Sequence, residues 1–122
     1  MAVILVIEDE STCQVYLKTR LNKMGHDDVT IVDTGDAAVE ILKKKKFDVI
    51  LSDLMVPGNI SGIEMIRQFK HLAPDTGIAI ISGYPAPELI SQCESLGIHD
   101  FLSKPFELAF VADVVNKIIA KQ

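Results

Sequence analysis

Acidic and hydroxyl side chains follow short apolar segments at four places in this 122-residue sequence. The four polar segments that follow the apolar ones are Glu8-Asp9-Glu10, Ser52-Asp53, Ser82-Gly83 and Ser103-Lys104-Pro105. A carboxylate can act as a nucleophile and form an acyl phosphate. Phosphoryl transfer depends mainly on positioning and on neutralising charge, which a cation or an ammonium group can supply. If the four segments meet, their side chains suit phosphoryl transfer to a carboxylate.

The acidic side chains also predict a metal ion. Carboxylates held close together repel one another and raise each other's pKa, so a positive charge is needed among them. A donor set made only of oxygen atoms suits Mg²⁺, and Lys104 offers a second positive charge. The alternative is that each acid is a solvated loop residue with no shared site. The presence of a lysine and a hydroxyl on separate segments favours the shared site.

The elements that must position these side chains follow from the apolar pattern. Five short apolar segments alternate with five longer amphipathic segments. The predicted strands are residues 3–7, 29–32, 49–51, 78–81 and 99–102. The predicted helices are residues 11–24, 36–46, a third from Ser61, about 87–96, and a fifth from near Glu107. This (βα)₅ alternation indicates an α/β fold with a parallel sheet and helices on both faces, and sites then form beyond the carboxyl ends of the strands.

Several features receive a structural interpretation. Ser61-Gly62-Ile63-Glu64 predicts a capping box at the start of the third helix. The four lysines of residues 43–46 are predicted to be a solvated helix end. The histidines lack ligand spacing and are predicted to be surface or partly buried residues; they are His26, His71 and His99.

Composition narrows the class of protein. A length of 122 residues fits one domain, and a formal charge of −5 argues against direct binding of nucleic acid. Cys13 and Cys93 show no metal-binding spacing and are predicted to be free thiols in a reducing compartment. The sequence has no signal-peptide pattern and no apolar run long enough to span a bilayer. We therefore expect a cytoplasmic protein without membrane insertion.

Four sequence fragments together carry a family resemblance. They are the Ile-Glu-Asp-Glu end of the first strand, the segment Asp53-Leu54-Met55-Val56-Pro57, Ser82-Gly83 and Lys104-Pro105. In this order and spacing, the whole chain resembles the receiver domain of two-component response regulators. The resemblance implies a doubly wound, flavodoxin-like fold with strand order 2-1-3-4-5. It also implies one receiver domain over residues 1–122, with no output domain in this chain.

The resemblance implies a role for each acidic residue. Asp53 would accept a phosphoryl group from a sensor histidine kinase or a phosphotransfer protein. Mg²⁺ would be held by Glu8, Asp9, Asp53 and the backbone carbonyl of Met55. We expect no enzyme activity beyond Mg²⁺-dependent self-phosphorylation from donors and slow autodephosphorylation.

The resemblance also implies a switch. Ser82 and Lys104 would contact the phosphoryl group, and Phe101 would be the aromatic residue that moves with the switch hydroxyl. Gly83 and Pro105 would support these residues. The surface of helix 4, strand 5 and helix 5 would then bind a downstream protein target, with the chain a monomer or a phosphorylation-dependent dimer.

The sequence departs from the family pattern in two places. Glu8 stands where many members have Asp, and the loop at residues 58–62 is one residue longer than in the commonest pattern, with Ser61 where Asp is frequent. Three other functions are alternatives: a flavodoxin-like cofactor binder, a Mg²⁺ phosphohydrolase, and a pseudo-receiver that binds partners without phosphorylation. The acidic run Glu8-Asp9-Glu10 would repel the phosphate of a flavin. A phosphohydrolase would need a second acid two residues after Asp53, where this sequence has Met55. The pseudo-receiver stays the principal alternative.

Overall fold

A computed structural model describes residues 2–83, 86–104 and 108–122. Its five strands form one parallel sheet in the order β2-β1-β3-β4-β5, which confirms the predicted strand order. The strands are β1 (Val3–Ile7), β2 (Asp28–Val32), β3 (Val49–Ser52), β4 (Gly77–Ser82) and β5 (Asp100–Ser103). Neighbouring strands pair in parallel. Val3 lies beside Asp28 in the β1–β2 pair, and Ser82 lies beside Ser103 in the β4–β5 pair.

Five α-helices connect and follow these strands. They are α1 (Ser11–Lys23), α2 (Gly35–Leu42), α3 (Gly62–Leu72), α4 (Pro87–Ser95) and α5 (Val111–Ala120). A short 3₁₀ turn, Leu108–Phe110, precedes α5, so this helix begins later than predicted. Glu107, where we expected its start, lies outside the described residues. Among the described residues, no helix is long and apolar enough to cross a membrane.

The sheet divides the core into two layers. Alternate residues of β1 face opposite sides: Leu5 and Ile7 pack with α2, α3 and α4, whereas Ile4 and Val6 pack with α1 and α5. All four side chains are fully buried. Continuous apolar strands covered on both faces are typical of parallel sheets, so the core leaves polar chemistry to the strand ends.

Helix α2 is shorter than predicted, because it ends at Leu42 rather than continuing to residue 46. The chain turns after Leu42, and Lys45 reaches Asp28 on β2 with an Nζ–Oδ1 distance of 2.8 Å. The Lys45 ammonium also lies 5.3 Å from the ring centroid of Phe47. The lysine segment therefore leaves the helix axis and contacts β2 and Phe47 instead.

The predicted capping box at α3 is wrong. Ser61 precedes the helix, but its side chain makes no capping hydrogen bond. Instead, Ser61 Oγ donates to the Leu54 carbonyl and accepts from the Val56 N–H, both at 3.2 Å. Glu64 pairs with Arg67 at 2.7 Å. The loop after β3 offers Ser61 backbone partners that the local sequence pattern does not reveal.

The prediction for the histidines is only partly right, whereas the prediction of free cysteines is confirmed. His71 and His99 are exposed, but His26 is buried and accepts a hydrogen bond from the Ala2 N–H at 3.0 Å. Cys13 and Cys93 are both free and buried.

Candidate functional site

The parallel pairing of β1 and β3 brings two acids together at the carboxyl edge of the sheet. Ile7 lies beside Ser52, so the next residues, Glu8 and Asp53, leave the sheet side by side. The Glu8 N–H donates to the Val32 carbonyl at 3.0 Å, and the Asp53 N–H donates to the Ile7 carbonyl at 2.9 Å. The backbone ladder therefore continues into the site and fixes both acids.

Three carboxylates gather at this edge. One oxygen each of Glu8, Asp9 and Asp53 lies within 4.8 Å of the others. Their exposure differs: Glu8 is 1% exposed, the Asp53 side chain is 12% exposed, and Asp9 is a surface residue. The acidic cluster that the sequence predicts is therefore present, and the exposure of its side chains increases from Glu8 through Asp53 to Asp9.

Lys104 supplies a positive charge to this cluster. Its N–H donates to the Ser82 carbonyl at 2.8 Å, which ties the residue after β5 to the end of β4. Its Nζ lies 2.9 Å from Asp53 Oδ2 and also contacts Glu8 Oε1. Burial lowers the pKa of Lys104, but the carboxylates of Glu8 and Asp53 outweigh burial and raise the pKa above its ordinary value. The ammonium therefore stays charged at neutral pH.

The two oxygens of Glu8 have different surroundings. Oε2 accepts a hydrogen bond from the Glu10 N–H at 2.9 Å. Oε1 is enclosed and forms an ion pair with the Lys104 ammonium. The buried charge of Glu8 is therefore compensated by Lys104 before any metal binds.

Cys13 adjoins the same carboxylate, which the sequence did not indicate. Burial, followed by the charge of Glu8, raises the pKa of the Cys13 thiol to about 12. The thiol is therefore protonated at neutral pH and acts as a small neutral neighbour of the acidic cluster. In the sequence, only the position of Cys13 in the first turn of α1, on the face that packs against the sheet, could have indicated this contact.

Mg²⁺ is the metal that this donor set fits. All three carboxylates offer oxygen, the ligand that Mg²⁺ prefers, and Lys104 pairs with only two of them, Glu8 and Asp53. Met55 also lies at the site, because its N–H donates to Asp53 Oδ1 at 3.2 Å. Its side chain is exposed, so the Met55 backbone rather than its thioether is the part held beside the acids.

The remaining predicted site residues lie on β4 and β5. Ser82 is buried at the end of β4, and Gly83 follows it. A Cβ atom at Gly83 would meet nothing within 4 Å, so space alone does not require glycine there. Phe101 lies within β5 beside Ile80 and is partly buried against the layer of α2, α3 and α4. Pro105 lies outside the described residues.

Comparison with known proteins identifies a matching protein family and several relatives of this chain. The response regulator receiver domain family matches residues 4–116. Over 115 residues, the chain is 35% identical to the response regulator receiver protein CpdR of Brucella abortus, with 94% of this chain and 92% of that protein covered. It is 26% identical to the chemotaxis protein CheY of Thermotoga maritima, with 94% and 95% covered.

A solved structure shows the same fold. The receiver domain of sensor histidine kinase PA1611 from Pseudomonas aeruginosa is 24% identical and superposes with a TM-score of 0.82, covering 98% of each chain. That structure is described with a magnesium ion coordinated in its active-site cleft.

The fold and the acidic edge define a signalling switch module rather than a conventional enzyme. The chain belongs to the response regulator receiver domain family of two-component signalling. Membership implies a phosphoacceptor switch that interacts with histidine kinases or phosphotransfer proteins and with downstream targets. Receiver domains generally bind Mg²⁺ at an acidic pocket, and the chain has such an acidic cluster.

Proposed function

We propose that Asp53 accepts a phosphoryl group from a sensor histidine kinase or a phosphotransfer protein. The observation that carries this proposal is the Lys104 ammonium, 2.9 Å from Asp53 Oδ2, inside a cluster of three carboxylates. Asp53 thus has a fixed positive charge beside the oxygen atoms on which a phosphoryl group would add negative charge.

Exposure and charge distinguish Asp53 from the other two acids. Glu8 is 1% exposed, which leaves no room for a donor to approach its oxygens. Asp9 is exposed but forms no ion pair with Lys104 among the described contacts. Asp53 combines a side chain that is 12% exposed with the direct ammonium contact, so it is the best placed nucleophile.

Mg²⁺ is the proposed cofactor, held by Glu8, Asp9, Asp53 and the carbonyl of Met55. The magnesium ion described in the PA1611 receiver supports this assignment, as does the oxygen-only donor set here. When bound, Mg²⁺ would neutralise the carboxylates and the phosphoryl oxygens.

The protein's own residues perform the remaining steps. A carboxylate oxygen of Asp53 forms a bond to phosphorus while the bond from phosphorus to the donor breaks, and the leaving group keeps that electron pair. Lys104 shares its charge between Glu8 and Asp53 before the reaction and pairs with the new phosphoryl oxygens afterwards. Ser82, buried at the end of β4, would donate its hydroxyl hydrogen to one of those oxygens.

The phosphorylated site would change the surface formed by α4, β5 and α5, where a downstream protein binds. A shift from about 1:99 to 99:1 requires roughly 5.5 kcal/mol of differential stabilisation. Charge-assisted hydrogen bonds from Ser82 and Lys104, at roughly 1.5–3 kcal/mol each, supply most of this amount. Phe101 on β5 would move with the change. The chain would act as a monomer or as a phosphorylation-dependent dimer in the cytoplasm.

Loss of the lysine separates phosphorylation from its readout. In the Lys104→Ala variant, phosphorylated Asp53 would no longer shift the α4, β5 and α5 surface. Backbone NMR shifts of that surface, recorded with and without phosphorylation, test this role. A full wild-type shift pattern in phosphorylated Lys104→Ala would contradict it.

Intact-protein mass after incubation with Mg²⁺ and a small acyl-phosphate donor tests the phosphorylation itself. The wild type should gain the mass of one phosphoryl group, and the gain should disappear with EDTA and in Asp53→Asn. Asp33→Asn, which removes an exposed acid after β2, is the matched control and should keep the gain. No gain across a range of donor and Mg²⁺ concentrations would favour a phosphorylation-independent interaction module.

A further inference from the structure

We propose that Asp36 is a positioning residue that holds the loop after Asp53 in the shape required to bind Mg²⁺. The inference rests on the proposed function, because it concerns the metal site beside Asp53. Asp36 lies in the first turn of α2, outside the acidic cluster. It therefore acts through the loop rather than by touching the metal.

The Asp36 carboxylate binds the outer part of the loop. Its Oδ1 accepts hydrogen bonds from the Asn59 N–H at 3.0 Å and from the Ile60 N–H at 3.2 Å. These partners lie 23 and 24 residues away in sequence. An ionised acceptor makes stronger hydrogen bonds than a neutral one, so one side chain fixes two consecutive peptide groups.

Two glycines allow the loop and α2 to approach this closely. A Cβ atom at Gly58 would lie 2.5 Å from Asp36 Oδ1, and Gly58 has a φ of +107°. A Cβ atom at Gly35 would lie 2.2 Å from the Ile60 carbonyl oxygen. A side chain at position 35 would meet the loop backbone, and one at position 58 would displace the Asp36 carboxylate. The contact is therefore built by three positions together, not by Asp36 alone.

The inner part of the same loop is fixed at the site. Ser61 follows Ile60, and its hydroxyl binds the Leu54 carbonyl and the Val56 N–H. The Gly62 N–H also donates to the Leu54 carbonyl, at 2.8 Å. These contacts flank Met55 on both sides. Because Asp36 fixes residues 59–60 directly before Ser61, it stabilises the arrangement that presents the Met55 backbone to Asp53.

A simple helix-terminus role for Asp36 makes a different prediction. An acid in the first turn favours a helix by its charge alone, wherever its oxygens point. In that case any neutral residue would weaken α2 slightly and leave the metal site unchanged. Positioning of the loop instead requires an acceptor oxygen at Asp36 and a glycine at position 58.

Mg²⁺ titration followed by ¹⁵N NMR separates these possibilities. Asp36→Ala should bind Mg²⁺ about tenfold more weakly than the wild type, as is common when a supporting residue is lost. The amides of Asn59 and Ile60 should also exchange with solvent faster. Asp36→Asn keeps an acceptor oxygen and should stay within about twofold of the wild type. Asp33→Ala is the charge-matched control and should also stay within about twofold, because surface charges near a site have small effects.

A second variant keeps the Asp36 charge and moves the loop. Gly58→Ala should weaken Mg²⁺ binding in the same direction, because the added methyl group displaces the carboxylate. Equal Mg²⁺ affinity in the wild type, Asp36→Ala and Gly58→Ala would overturn the positioning role while leaving the proposed function intact. A wild-type protein that binds no Mg²⁺ would overturn both.

Discussion

The two edges of the sheet treat polar groups in opposite ways. At the amino edge, Asp48 accepts from the Val3 N–H at 2.8 Å, and Thr76 donates to the Phe47 carbonyl at 2.8 Å. At the carboxyl edge, three carboxylates gather, and among the described contacts Lys104 pairs with only two of them, Glu8 and Asp53. The polar groups named at the amino edge have hydrogen-bond partners within the protein. At the carboxyl edge, the negative charge of the three acids exceeds the positive charge of Lys104.

This difference separates stability from function. Satisfied buried polar groups stabilise the fold and bind nothing further, because their capacity is already used. The carboxyl edge has a positive charge that two acids share, so a new cation or a phosphoryl group can change the pairing. Locally unfavourable arrangements of this kind mark functional sites in an otherwise consistent fold. Mutations at the amino edge should therefore only destabilise the fold, whereas mutations at the carboxyl edge should change stability in either direction.

The largest effect is expected from Lys104→Met at the carboxyl edge. Loss of the ammonium leaves Glu8 and Asp53 as neighbouring buried charges, so unfolding free energy at pH 7 should fall by about 3 kcal/mol. Urea unfolding measures this loss, and added Mg²⁺ should restore part of it. Lys43→Met breaks an ion pair with Glu40 that is exposed on both sides and should change stability by less than about 1 kcal/mol. Equal effects of the two variants would contradict the account.

An intermediate effect is expected from Thr76→Val at the amino edge. The substitution keeps the side-chain shape but leaves the buried Phe47 carbonyl without its hydroxyl partner, at a cost of about 1 kcal/mol. Urea unfolding should show this loss both with and without Mg²⁺. A cost that depended on Mg²⁺ would mean that the two edges are not separate.

A smaller, pH-dependent effect is expected at His26. Burial, followed by the nearby N-terminal charge, lowers the pKa of His26 below its ordinary 6.5, although Asp27 acts in the opposite direction. The unfolded chain therefore binds a proton more readily, so stability is full above about pH 6.5 and is lost as pH falls through the folded pKa.

Urea midpoints measured between pH 8 and pH 5 isolate this contribution. His26→Asn keeps an acceptor for the Ala2 N–H and removes the titration, so its midpoint should fall less on acidification than that of the wild type. Parallel pH profiles for the two proteins would contradict the assignment.

The smallest stability effect, with the opposite sign, is expected from Asp9→Asn. Removing one of three clustered charges should raise stability without Mg²⁺ by less than about 0.5 kcal/mol. The same variant should weaken Mg²⁺ binding. Calorimetric titration with Mg²⁺ and urea unfolding measure both quantities, and a variant that loses stability without Mg²⁺ would show that the acids do not repel.

Much of this arrangement was predictable because it follows from regular patterns. Continuous apolar strands separated by amphipathic helices determine a parallel sheet, and a parallel sheet gathers its strand ends at one edge. The clustering of Glu8, Asp9 and Asp53 with Lys104 is confirmed on that basis. Beta-strand β1 also has the predicted bounds, because its apolar run is uninterrupted.

The contacts that were not predicted link residues far apart in sequence or depend on side-chain direction. Ser61 has the sequence signature of a helix cap, but nearer backbone partners in its own loop take its hydroxyl. The Asp36 contacts span 23 and 24 residues, and no local pattern encodes them. Helix α2 ends at Leu42, and Lys45 beyond it pairs with Asp28, 17 residues away on β2. Such partners become visible only once the chain is folded.

The position of the phosphoryl group shows whether Asp53 is the acceptor. After incubation with Mg²⁺ and an acyl-phosphate donor, borohydride reduces an acyl phosphate to an alcohol and so marks the modified carboxyl group permanently. Tandem mass spectrometry of the tryptic peptides of residues 1–18 and 47–67, which carry Glu8 and Asp9 and Asp53 respectively, then identifies the marked residue. A single mark at Asp53 that disappears when Mg²⁺ is removed is expected. A mark at Glu8 or Asp9, or a protein that acquires none, would contradict it.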